Sequence, residues 1–325
     1  MKRVYQKLDV GVARTGRTRS RVVRAVGVLL TPFYLTGAWL HGVPGIRLHL
    51  RCVWLSCAAL ISGRISFSEA LALACNPFDS VRYFEFSAIW DWMHSGPVGG
   101  EWLDVSSPRL FSILLLKSHT DLNALLINPD MHDLAITEEK ISAFGVHRRC
   151  RTFNGFIHEA GPCCERFNLV SSISVIEHIP VPDDLTALSE IWRRLRPGGR
   201  LYLSVPCAAV SFEEYLDFNE YGILKSDEGG FVFGQRFYDE ELLASRVFTI
   251  TGQPVRASVY GEKRAGVSVE DRARKVRGDI YPFWRESYMM GMQFRRFERV
   301  RDLPGLGVIA MEFVKKVEPC EQCVD

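Results

Sequence analysis

The sequence predicts an α/β protein: a doubly wound, mostly parallel sheet with a helical N-terminal extension. Three observations predict it. From residue 81, short apolar runs with the character of buried strands alternate with segments of helical period. Such alternation implies right-handed crossovers between parallel strands. One run, Glu101–Ser112 (EWLDVSSPRLFS), reads as a strand ended by an aspartate, a tight turn, and a helix opened by proline. That is how α/β proteins build a cofactor cradle, but Ser106-Ser107-Pro108 stands where glycines normally let a ligand approach the backbone.

The elements follow in order. Val81–Met93 predicts a helix with an aromatic face, residues 102–106 a strand, and Pro108 to about Lys117 a helix. Asn123–Ile127 is a second strand, ended by Asn128-Pro129-Asp130, and Asp133–Phe144 a helix. A weaker strand lies near Cys150–Phe156. Phe167–Val175 is a clear strand, Pro182–Leu195 an amphipathic helix closed by Arg196-Pro197-Gly198-Gly199, and Arg200–Val205 the next strand. Pro197-Gly198-Gly199 is a structural stop that supplies positive φ.

Charge is uneven along the 325 residues. Residues 1–68 hold eleven Lys/Arg and one acid, Asp9, a balance of +10; the whole chain is +2, so the remainder is −8. Ala25–Ile46 contains no charged residue and is long enough to cross a bilayer, but glycines and Pro32 and Pro44 disfavour a continuous spanning helix. No signal-peptide pattern is present. Two readings stand for this front: a small helical subdomain packed on the body, or a peripheral membrane contact through residues 1–65. In the second, Leu29-Leu30, Phe33-Tyr34-Leu35 and Trp39-Leu40 insert partly. Nine cysteines without framework spacing read as reduced thiols, pointing to a cytoplasmic protein, peripheral on the inner face of the membrane if the second reading holds. The lone Cys320-Glu-Gln-Cys323 lies in a tail expected to fray, and no metal is expected. Arg272–Arg277 and Arg295–Arg301 read as solvated runs, with no nucleic-acid binding expected.

Residues 167–206, FNLVSSISVIEHIPVPDDLTALSEIWRRLRPGGRLYLSVP, resemble the fourth strand, connecting helix and fifth strand of class I S-adenosylmethionine-dependent methyltransferases, in their small-molecule, type 11-like branch. FGQRFYDEELLASRV (233–247) and VIAMEFVKK (308–316) are similar to that family's closing segments. The resemblance implies a Rossmann-like methyltransferase sheet with an antiparallel last strand over residues 81–316, with an extension at 1–80, a cap or lid around 207–234, and a flexible tail at 317–325. It implies S-adenosyl-L-methionine as cofactor, held by Asp104, Ser106 and Ser107 of an altered first motif. Asn128 and Asp130 fall at the second strand, and Ser174 beside the end of the fourth. A nicotinamide dehydrogenase is disfavoured because no GxGxxG follows a strand.

Glu177 and His178 fall at the carboxyl end of a central strand, where function concentrates in open α/β sheets. His178 is the candidate base and Glu177 its orienting or cofactor-contacting partner; a backbone-bonded histidine at a helix start is the structural alternative. Tyr83, Phe84, Phe86 and Trp90, with the cap, are expected to meet substrate. The implied activity is methyl transfer to a small-molecule acceptor, lipid- or glycan-linked in one version. The alternative is a non-catalytic methyltransferase-like scaffold at a membrane surface.

Overall fold

The structure is a computed structural model that describes residues 2–5, 17–96, 98–161, 166–216, 224, 226, 229–268 and 283–317, with backbone only before residue 25. After a short strand β1 (Lys2–Tyr5) come helices α1 (Arg17–Leu40), α2 (Ile46–Ile61), α3 (Phe67–Cys75) and α4 (Arg82–His94). The alternating part then runs β2 (Gly100–Val105), α5 (Arg109–Ser118), β3 (Leu122–Asn128), α6 (Met131–Ala143), β4 (Cys150–Asn154), β5 (Phe167–Ile173), α7 (Asp183–Arg194) and β6 (Leu195–Cys207). A hairpin of β7 (Phe212–Leu216) and β8 (Val232–Phe237) follows. Next come α8 (Glu240–Leu243), continued by a π-helical turn, Ala244–Phe248, and α9 (Thr249–Thr251). The chain ends with β9 (Arg256–Glu262), α10 (Glu286–Gln293), β10 (Phe294–Phe297) and β11 (Gly307–Val314).

The main sheet has the order β10-β9-β11-β6-β5-β2-β3-β4. β2 pairs in parallel with β3 and β5, as β3 does with β4 and β5 with β6. β11 runs antiparallel between β6 and β9, and β10 antiparallel beside β9. The chain winds outward from β2 to β4, then returns to β5 on the other side of β2. That reversal opens a crevice at the carboxyl ends of β2 and β5. Both faces are covered, so the strands read as continuous apolar runs. Trp102 points into one core, shared with α2 to α5, and Leu103 into the other, shared with α7.

Four expectations need correction or sharpening. Helix α1 is continuous through Gly27, Pro32 and Gly37. Thr31 Oγ donates to the Gly27 carbonyl (3.1 Å) and Thr36 Oγ to the Pro32 carbonyl (2.8 Å). The two glycines allow close docking: a Cβ at Gly27 would fall 2.2 Å from the Trp284 ring and one at Gly37 3.1 Å from Tyr288. Secondly, the front shares a core with the body: Leu48, Cys52, Ala59 and Ala70 lie in the same cluster as Trp102 and Phe111.

Thirdly, the aromatic face of α4 is structural. Phe84 stacks on Tyr260 (4.7 Å, 6°) and Phe86 packs on Phe111 (5.0 Å), while Tyr83 and Trp90 are buried. These rings are core, not substrate contacts. Fourthly, β6 already begins at Leu195 and includes the Pro-Gly-Gly turn. Gly198 takes φ +76° and its N–H donates to the Lys315 carbonyl (2.8 Å).

Of the expected cap, the described part is the β7–β8 hairpin, which forms a small sheet with β1. Buried Arg236 pairs with Glu213 and Asp184, and Arg246 pairs with Asp184, fixing the hairpin to the start of α7. Phe218, Tyr221, Cys163, Cys164, Cys320, Cys323 and Arg272–Arg277 lie outside the described residues.

Candidate active site

A cavity of about 580 Å³ opens where β2, β3, β4 and β5 end, at the reversal of the sheet. Its lining includes Ser106, Asn128, Asp130, Phe156, Ser174 and His178.

The turn after β2 shows what replaces the missing glycine. Ser106 adopts φ +51°, the left-handed region, which costs a residue with a Cβ about 1 kcal/mol. Its N–H and its hydroxyl both donate to the Ile127 carbonyl, at 2.8 and 3.0 Å. The second bond offsets the strain and uses the hydroxyl on β3 rather than on a ligand. Ser107 is turned inward. Its Oγ accepts the Ile173 N–H at 3.1 Å and bonds to Asp104.

Asp104 does not line the cavity. It is buried, accepting Ser171 Oγ at 2.5 Å and also Ser112 Oγ, while Trp102 Nε1 donates to Ser171 at 3.0 Å. Burial raises its pKa against the lowering effect of the three serine hydroxyls. The aspartate therefore ties β2 to β5 and α5.

At the end of β3 the polar groups converge. Asn128 Oδ1 accepts the Asp130 N–H (2.9 Å), and its Nδ2 donates to Asp133 (2.9 Å). Asp130 caps α6, accepting the amides of His132 (2.9 Å) and Asp133 (3.1 Å). Asp133 also lines the cavity and pairs with Arg109. Sequence reading selected Asn128 and Asp130 but missed Asp133. The available signal was the Asp-x-x-Asp spacing, which puts a cap and a first-turn carboxylate at one helix start. Phe156 was missed as well. Its exposed ring stacks on His158 (5.7 Å, 7°) at the cavity wall. Asn154 is occupied with the Asn128 and Pro129 carbonyls.

Beyond β5, Ser174 takes φ +50° and donates its hydroxyl to buried Glu85, which also accepts Ser204 Oγ (2.8 Å) and Arg82 (2.7 Å). The next residues, Ile176–His178, form a single 3-10 turn. Glu177 is buried, and burial drives its pKa up to about 8 against the lowering effect of its own amide, Arg82 and Ser174. It is therefore protonated at neutral pH, and its Oε2 has no hydrogen-bond partner among the described residues.

His178 Nδ1 lies 2.6 Å from the Gly234 carbonyl of β8. A carbonyl only accepts, so Nδ1 carries hydrogen, and Nε2 is the basic nitrogen of the neutral ring. Nε2 lies 3.8 Å from Glu177 Oε1. Sequence reading thus put together Ser106, Asn128, Asp130, Ser174 and His178 on one cavity, while Asp104, Ser107 and Glu177 stand behind it.

The cavity has the volume of a cofactor pocket. Apolar Ile127, Phe156, Ile176 and Ile179 suit an adenine ring, and carboxylates at the end of β3 suit ribose hydroxyls. The residues present fit S-adenosylmethionine. Among the described residues no cluster of three His, Cys, Asp or Glu could hold a metal ion.

Residues 92–245 match the family described as a methyltransferase domain. No curated protein matches the chain. Similar solved structures include the MccD protein, at 15% identity over 71% of this chain and 97% of that one, with a TM-score of 0.47. A geranyl diphosphate methyltransferase in complex with SAM is similar at 12% identity, over 70% of this chain and 84% of that one, with a TM-score of 0.43. The match over residues 92–245 to a methyltransferase domain falls on the part of the chain that holds the parallel strands β2 to β6, whose order reverses beside β2.

Proposed function

We propose that the protein transfers a methyl group from S-adenosylmethionine to a small-molecule acceptor, with His178 receiving the acceptor's proton. The observation that carries this reading is the fixed tautomer of His178, a residue of the cavity wall: Gly234 holds Nδ1–H, so Nε2 is the basic nitrogen of the neutral ring. The cofactor, when bound, supplies an electrophilic methyl on a sulfonium.

The chain's own residues do the rest. Asp130 and Asp133 accept hydroxyl hydrogen bonds at the end of β3, and Phe156 gives a ring an apolar wall. Ser106 keeps the turn after β2 in the left-handed shape that lets backbone approach a ligand. Neutral Glu177 is a hydrogen-bond donor behind His178 and adds no negative charge at neutral pH. The β7–β8 hairpin fixes the direction of the ring by holding Nδ1 on the Gly234 carbonyl. A cytoplasmic setting and a lipid- or glycan-linked acceptor extend this reading; the basic, acid-poor front supports it.

Thermal unfolding with and without S-adenosylmethionine tests the cofactor half. Stabilisation that Asp133→Ala weakens supports the reading, whereas no stabilisation of the wild type favours the non-catalytic scaffold. Methyl transfer assayed over a panel of hydroxylated and aminated small molecules tests the other half. His178→Ala should then lose turnover while retaining cofactor-induced stabilisation.

A further inference from the structure

We infer that helices α1 and α2, with the start of α3, form a docking face for an anionic lipid bilayer, independent of the reaction above. Ordinary surface helices turn their apolar stripe to the core and a polar face to water, whereas α1 and α2 carry large apolar residues on the outward side as well. The inward face of α1 carries Gly27, Thr31 and Ala38, whereas Leu29, Phe33 and Leu40 point to solvent, each more than 70% exposed. In α2 the polar residues His49 and Ser56 are buried, while Trp54 and Ile61 are 69% and 87% exposed. Phe67, at the first position of α3, is 69% exposed.

Leu29, Phe33 and Leu40 recur at helical spacing along one face, as Trp54 and Ile61 do on the next helix. A soluble surface scatters its exposed apolar residues singly; two consecutive helices that present them together mark an interaction face.

Charge identifies the occupant. No acid occurs between Val10 and Ser68, while eight arginines do, and Arg47 and Arg64 are exposed among the apolar residues. A protein partner of ordinary mixed charge does not call for so one-sided a sequence; anionic headgroups do. Among the described residues no helix is long and apolar enough to cross a membrane. Phe33, Trp54 and Ile61 therefore enter only the headgroup and upper acyl region, with the helices lying along the surface. Tyr34 and Leu35 belong to the inner side: Tyr34 packs on Tyr288 at 5.9 Å and Leu35 against the Ala38 cluster. The inserting set therefore excludes them and gains Trp54, Ile61 and Phe67.

The test uses the full chain and vesicles of phosphatidylcholine alone or mixed equally with phosphatidylglycerol. Co-sedimentation should be about tenfold stronger with the anionic vesicles and should weaken with salt. Phe33→Ser and Trp54→Ser, at exposed positions, should each reduce it severalfold with unchanged circular-dichroism melting. Tryptophan emission should shift to the blue on binding, and less so in Trp54→Phe. Equal sedimentation with both vesicle types, or full binding by both serine variants, would overturn the inference. A wild-type dimer that ignores vesicles and becomes monomeric on Phe33→Ser would overturn it too, assigning the face to a second copy.

Discussion

Ser106 donates two hydrogen bonds, from its amide and from its hydroxyl, to the single carbonyl of Ile127. This relationship explains how a turn without glycine keeps a glycine's shape. Gly at this position would remove the strain but also the hydroxyl bond, and would loosen the unfolded chain. Ser106→Gly is expected to change stability by less than about 1 kcal/mol and to retain cofactor-induced stabilisation. Ser106→Val, β-branched at positive φ and without the hydroxyl, should lose about 2–3 kcal/mol and the cofactor response. Denaturant melts of the two variants check this.

Asp104 is buried among serine hydroxyls and is absent from the cavity lining. Asp104→Ala leaves the hydroxyls of Ser112 and Ser171 buried without their acceptor and is expected to cost about 3 kcal/mol. In conditions where the variant remains folded, S-adenosylmethionine affinity by calorimetry should fall less than in Asp133→Ala.

Glu177 gives stability a pH dependence of one sign. Its folded pKa of about 8 lies above the ordinary 4.5, so between these values the native state holds a proton that the unfolded state has lost. Its contribution is therefore present at low pH and is lost as pH rises toward 8. Glu177→Gln, isosteric with the neutral acid, should be nearly neutral at pH 5 and more stable than wild type by up to about 4 kcal/mol at pH 9. Urea midpoints across that range measure the difference.

His49 works in the opposite direction. Burial lowers its pKa from 6.5 to about 4, opposed by its bond to the Ala74 carbonyl (2.9 Å), and Tyr83 lies 2.8 Å from its other nitrogen. The unfolded state takes up a proton first as pH falls, so stability of about 3 kcal/mol is present above pH 6.5 and lost toward pH 4. His49→Gln should flatten this limb of the stability profile.

Gly27→Ala sets helix propensity against docking. An isolated α1 would gain about 1 kcal/mol, but the added methyl meets the Trp284 ring rather than a flexible chain end. A net loss of about 2 kcal/mol is expected, seen as earlier cleavage of residues 25–40 in limited proteolysis and a shift in tryptophan emission.

The alternating half of the fold was legible because each strand is a short buried run bounded by turn residues. Asn123–Ile127 and Phe167–Val175 fall within about two residues of β3 and β5. The front was harder. Glycine and proline in residues 25–46 argue against a helix locally, and the distant Trp284 and Tyr288 show why Gly27 and Gly37 stand within α1. In the site, positions at strand ends were readable from motif spacing, but side-chain direction was not. Asp104 and Ser106 are two residues apart, yet one supports the sheet and the other lines the cavity. Asp133 and Phe156 were passed over because one looks like helix-start chemistry and the other like an ordinary loop aromatic.

β11 has an order-of-assembly consequence. It lies between β6 and β9 and comes from the last residues of the sheet, Gly307–Val314, while α1 rests on Trp284 and Tyr288. A nascent chain can wind β2 to β6 as it emerges, but β9 cannot join them until the final strand arrives to bridge the gap. Trp284 and Tyr288 likewise emerge too late to seat the first long helix early. The main sheet thus closes only after Gly307–Val314 has been synthesised, and removing those residues should leave β9 and β10 detached from β6.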